Sequence, residues 1–167
     1  MNYKSAYEKT ASFFNARPNA KKILLFSNLL ATGVFYLAYL ALCISCFFFL
    51  GTKDIIKIFA IPAVGLLLVS ALRVIFKRPR PYSEEGANIQ PILHKKDSDN
   101  KSFPSRHLAC AFVIAIVVFF YLWWAGIVLL ALGVILGFIR FALGLHYPTD
   151  LLAGMGLGLA CGWFLLI

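Results

Sequence analysis

Arg140, His146 and Asp150 fall within one short stretch, Arg140-Phe-Ala-Leu-Gly-Leu-His146-Tyr-Pro-Thr-Asp150, of a chain that is 61% hydrophobic. A cation, an imidazole and a carboxylate so close together could hold an anion, attack or protonate it, and orient the attacking ring. Ionisable groups at membrane depth are costly, so their presence points to function. Pro148 interrupts the chain, and Asp150 opens the next apolar stretch. A carboxylate at a helix N-terminus is favoured by the dipole and can reach back to a histidine, fixing its tautomer and strengthening its other nitrogen. Alone, the trio would equally suit a snorkelling Arg140, an interfacial His146 and a helix-capping Asp150.

Two upstream clusters shift that balance. The first, Arg73-Val-Ile-Phe-Lys-Arg-Pro-Arg80-Pro81, carries guanidinium groups, whose planar donors grip two phosphate oxygens at once. Taken singly, it also reads as a topology signal or lipid anchor. The second, Pro104-Ser105-Arg106-His107, begins an apolar run. Ser105 suits an N-cap, the first-turn amides make an anion site, and His107 sits one turn inside, where it could protonate a leaving oxygen.

The elements that must bring these clusters together are membrane helices. The formal net charge is +9, from 16 Lys and Arg against 7 Asp and Glu, and the cations lie among long uncharged runs. That points to lipid headgroups or an anionic substrate and away from nucleic acid. A bilayer span needs roughly 20 apolar residues. Residues 1–22 read as an amphipathic interfacial segment that is retained, and 23–167 as the transmembrane domain. Spans are expected over Ile23–Gly51, Ile55–Phe76 with a kink at Pro62, Ser105–Trp124, Gly126–Leu143 and Thr149–Ile167. The uncharged run Leu108–Ile139 would measure about 48 Å as one helix, too long for one crossing, so it divides at Trp124-Ala125-Gly126. Gly and Ala in the last span suit close helix packing. The expected fold is therefore all-α, a polytopic membrane helix bundle of about five spans plus an N-terminal interfacial helix. Residues 77–104 form its one long loop, in which His94-Lys95-Lys96 reads as solvated. This topology carries all three clusters to one membrane face. The four cysteines (Cys43, Cys46, Cys110, Cys161) all lie in apolar segments and read as packing residues.

The three clusters, in this order and spacing, resemble the type-2 phosphatidic acid phosphatase and haloperoxidase superfamily. Its motifs Lys-x6-Arg-Pro, Pro-Ser-Gly-His and Ser-Arg-x5-His-x3-Asp meet Arg73-x6-Arg80-Pro81, Pro104-Ser105-Arg106-His107 and Ile139-Arg140-x5-His146-x3-Asp150. Arg73 replaces Lys, Arg106 replaces Gly, and Ile139 replaces Ser. The resemblance implies a membrane lipid phosphate phosphatase working through a phosphohistidine. His146 would attack phosphorus, Asp150 would hold its ring, and His107 would protonate the leaving oxygen and then activate water. Arg73, Arg80, Arg140 and Ser105 would bind phosphate, with Arg106 and Pro104 as possible further contacts. It implies neither metal nor cofactor, a phospholipid or isoprenyl phosphate substrate, and a bacterial plasma membrane location. A lipid phosphotransferase, or a non-catalytic anionic-lipid-binding protein with a degenerate site, are the alternatives. Lys4, Lys9, Lys21 and Lys22 share the site's face and would put it in the cytoplasm, whereas members of the family usually open outward.

Overall fold

The computed structural model describes residues 3–49, 51–83, 86–93 and 101–166; His94-Lys95-Lys96 lies outside them. Every regular element among the described residues is a helix: α1 (Tyr3–Asn15), α2 (Pro18–Phe49), α3 (Thr52–Phe76), α4 (Arg106–Tyr121), α5 (Trp123–Ala142) and α6 (Pro148–Leu166). The expected helical bundle is what forms, with shifted boundaries. The 1–22 segment divides at Ala16-Arg17, because Pro18, which suits a first helical position, starts α2. Lys21 and Lys22 therefore belong to the first span. The α4/α5 break falls at Leu122, two residues before Trp124. Gly126 makes this tight return possible, since a Cβ there would stand 2.3 Å from the Phe119 backbone. Helix α3 runs through Pro62 and stops where Lys77 turns left-handed (φ 38°) ahead of Arg78-Pro79-Arg80-Pro81.

Three helices have the length and composition to cross a bilayer: Pro18–Phe48, Lys53–Phe76 and Trp123–Ala142. They are apolar on nearly every side. In α2 only a stripe at Leu24, Ala31, Phe35 and Cys46 is buried, while Leu29, Tyr36, Leu37 and Phe47 are exposed, as for a helix facing lipid. Helix α4 is shorter, 16 residues or about 24 Å, and is buried from Leu108 to Val118 except at Cys110. It is the axis of the bundle, packed most extensively on α6 and α5. Glycines allow that contact. Added Cβ atoms at Gly154, Gly158 and Gly162 would meet Ser105 O at 2.5 Å, Ala109 O at 2.5 Å and Ile116 Cβ at 2.7 Å. One face of α6, marked every four residues, lies against α4 with backbones close, the small-residue packing expected of the last span. The four cysteines are free.

Because α3 and α5 end where α4 and α6 begin, their charged ends meet. Bonds across the fold record it: Ser105 N–H donates to Asp150 O (2.9 Å) and Ser102 N–H to Arg78 O (2.9 Å). The three sequence clusters are joined at one end of the bundle, as the topology requires.

Candidate active site

His146 lies in the short link between α5 and α6 and is 1% exposed. The chain reaches it through Gly144 at φ +76°, a conformation glycine adopts without strain. The ring Nδ1 is 3.0 Å from the Ser102 carbonyl oxygen. A carbonyl only accepts, so Nδ1 carries the hydrogen and Nε2 keeps its lone pair. Burial pushes the His146 pKa down to about 4; the Asp150 carboxylate pulls it up, while Arg80 and Arg140 push it lower. The imidazole is therefore neutral at neutral pH, the form a nucleophile needs.

Asp150, fully buried at the first turn of α6, is a hub. Its Oδ1 accepts from Arg78 Nη1 at 2.7 Å, and its Oδ2 from Ser102 Oγ at 2.5 Å and the Tyr147 N–H at 3.0 Å. His146 Nδ1 stands 3.8 Å from Oδ2, beyond hydrogen-bond reach. The carboxylate thus meets the histidine through Ser102: it holds the Ser102 hydroxyl, and the same residue's carbonyl takes the imidazole hydrogen. Ser102 and Arg78 are the residues sequence reasoning missed. Arg78 sat in a basic cluster without a role, and Ser102 lay in a long loop, 48 residues from its partner.

Three arginines lie around His146 and Asp150. Arg73, Arg80 and Arg140 are 8%, 6% and 2% exposed. Arg73 donates to Pro104 O (3.0 Å) and Arg80 to Leu145 O (3.1 Å), so each also ties down the backbone beside Ser105 or His146. Arg140 Nη2 reaches Thr32 Oγ1 of α2 at 3.4 Å. Neither Arg73 nor Arg140 has a carboxylate within ion-pair distance among the described residues. Ser105 occupies the N-cap of α4, but its hydroxyl makes no capping bond. Ser105 Oγ and Arg140 Nε are buried without a hydrogen-bond partner in the protein. Buried cations and donors left open in this way are the signature of an anion site.

Arg106 is exposed, and half-buried His107 follows it in the first turn of α4. Both line a cavity of about 560 Å³ that continues between α2, α3 and α4 along Phe35, Tyr39, Phe59 and Ile114. Pro104, buried, follows a cis peptide bond and gives its carbonyl to Arg73. Ile139, standing for the motif's Ser, is 8% exposed among Tyr7, Leu143 and Leu145, so this departure fills an apolar cluster. No three His, Cys, Asp or Glu side chains come together as metal ligands among the described residues.

A helical bundle with this arrangement of two histidines, an aspartate and arginines at one end defines a class, and the family comparison agrees. Residues 54–167 match the PAP2 superfamily model, and the chain belongs to that superfamily. Over 109 residues it is 35% identical to Escherichia coli YbjG, provisionally named an undecaprenyl-diphosphatase, covering 63% of this chain and 52% of YbjG. Over 98 residues it is 35% identical to the lipid A 4'-phosphatase of Bacteroides thetaiotaomicron, covering 56% of this chain and 44% of that protein. The chain thus spans about half the length of the curated relatives it matches. The crystal structure of Aquifex aeolicus LpxE superposes with a TM-score of 0.72 at 25% identity, covering 95% of this chain and 93% of that one.

Proposed function

We propose that this chain is an integral-membrane, metal-independent lipid phosphate phosphatase, acting in a bacterial plasma membrane through a phosphohistidine. The observation that carries it is a buried, neutral His146 tethered at Nδ1 and ringed by buried arginines. In the first step His146 Nε2 attacks phosphorus and the P–O bond to the lipid breaks, with His107 giving its proton to the leaving oxygen. In the second, His107 takes a proton from water, whose oxygen attacks the phosphohistidine; phosphate leaves and Nε2 recovers its lone pair. Arg73, Arg80 and Arg140 neutralise the equatorial oxygens, where charge is spread in the transition state, and the Ser105 hydroxyl and first α4 amides add donors. Asp150 acts by holding Ser102 and the Tyr147 amide, and thereby the ring.

The substrate is a lipid. Beyond Arg106 and His107 the cavity is lined mainly by apolar side chains of α2, α3 and α4, so it suits a hydrocarbon tail below a phosphate. We favour an isoprenyl diphosphate such as undecaprenyl diphosphate, consistent with the name of YbjG; Arg106, at the position of the motif's glycine, then meets the second phosphate. The likeness to a lipid A 4'-phosphatase supports a phosphomonoester instead.

The test is phosphate release by purified protein in detergent with chelator, across undecaprenyl diphosphate, phosphatidate and phosphatidylglycerol phosphate. His146→Ala and His107→Ala should abolish release. Arg106→Gly should weaken the diphosphate selectively. Release unaffected by both histidine variants would overturn the phosphohistidine reading, and no release from any of the lipids would leave a protein that only binds anionic lipid.

A further inference from the structure

Helix α1 lies outside the family-matched residues, yet it is docked over the link that carries His146. Tyr7 is its anchor, at 1% exposure. The Tyr7 hydroxyl donates to Gln90 O at 2.9 Å and accepts from the Ile92 N–H at 3.2 Å, sequence separations of 83 and 85 residues. Its ring covers Gly144: a Cβ on that residue would stand 2.7 Å from the Tyr7 hydroxyl oxygen. Four residues earlier, one helical turn, Tyr3 packs its ring 4.7 Å from Tyr147 and 5.9 Å edge-on to Phe141. Tyr147 is also under the Arg78 guanidinium (4.4 Å), accepts the Ala87 N–H at its hydroxyl (3.1 Å), and sends its own N–H to Asp150. Below, Ile139, Leu143 and Leu145 complete an apolar floor with Ala11 and Leu24. Burial raises the pKa of Tyr7, so the phenol stays neutral and can both give and accept.

We propose that Tyr7 and Tyr3 are positioning residues for His146: α1 is a strap that clamps the largely apolar 86–93 segment and the Gly144–Tyr147 turn into one rigid roof. This rests on the phosphatase reading above. Neither tyrosine touches a reacting atom; each acts by fixing the backbone on either side of the nucleophile.

Tyr7→Phe keeps the ring and removes the hydroxyl; Tyr3→Leu removes the Tyr147 contact and leaves the Tyr7 bonds. Both are read by steady-state kinetics and by hydrogen exchange of peptides covering 86–93, 143–147 and, as control, α4. In Tyr7→Phe exchange should rise in the first two and not in α4. There kcat should fall about tenfold, the order expected for loss of the two hydroxyl bonds to Gln90 and Ile92, with KM little changed. Tyr3→Leu should lower kcat in the same direction with exchange raised at 143–147. Faster exchange with wild-type kcat would make α1 a structural brace only, and unchanged exchange would remove the strap. An active wild type matched in kcat by Tyr7→Phe overturns the positioning role alone and leaves the phosphatase reading in place. A wild type without turnover removes the phosphatase reading and the positioning role with it.

Discussion

His146 is a base made weak by burial. With a pKa near 4 against an ordinary 6.5, it binds fewer protons folded than unfolded between those values. Its contribution to stability is therefore complete above 6.5 and is lost as pH falls toward 4. The same shift sets the acid limb of kcat/KM: it should lie near 4, well below an ordinary histidine. In Arg80→Gln that limb should move up, because a nearby positive charge that disfavours imidazolium has gone. A pH profile of both proteins on one lipid checks the sign. Arg78→Ala leaves the buried Asp150 without its cation. It should lower stability by about 1.5–3 kcal/mol, the range for a hydrogen bond to a charged group, nearer the lower value because Arg78 reaches solvent. Thermal unfolding in detergent measures it. At this scale the motifs were legible and the wiring was not. His107, His146, Asp150 and the three arginines announced themselves as ionisable groups in an apolar chain. Ser102 did not, because a serine in a polar loop looks like any other until the fold brings Asp150 to it.

Helix contacts decide whether these residues meet. The α6 glycines differ in what surrounds them, so they give an internal control. Gly158→Ala puts a methyl 2.5 Å from the Ala109 carbonyl oxygen, where backbone cannot give way, whereas Gly156→Ala meets nothing within 4 Å. Overpacking of this kind costs about 1–3 kcal/mol, so Gly158→Ala should lower the unfolding temperature and Gly156→Ala should not. The order of the helices followed from uncharged runs and their breakers, which local chemistry controls; of the five expected spans, three have the length and composition to cross a bilayer among the described residues. The end of α4 falls earlier than the expected break at Trp124-Ala125-Gly126. In fact Gly126 serves inside α5, letting its first turn lie on Phe119. Helix α1 was legible as amphipathic, but its partner was not: its buried face, Tyr7 and Ala11, packs on protein and not on headgroups alone.

Across the whole molecule, the buried arginines, His146 and Asp150 sit at one end of an apolar bundle, and a cavity runs from Arg106 and His107 at that end between α2, α3 and α4. A substrate that fills both must be amphiphilic. Ala63→Trp, on the α3 wall of the cavity, should raise KM for a long-chain lipid phosphate severalfold and leave a short-chain phosphate ester unchanged; kinetics on the two substrates separate tail from headgroup. The phosphohistidine itself is tested by a rapid acid-free quench of the His107→Ala variant with diphosphate lipid labelled at its terminal phosphorus. A diphosphate's leaving group is a stabilised phosphate and needs little help from an acid, whereas water attack on the phosphoenzyme loses its base. The label should therefore accumulate on His146 as an acid-labile, alkali-stable adduct, absent when His146→Ala is added. Label on another residue, or none while the wild type releases phosphate, would contradict nucleophilic attack by His146.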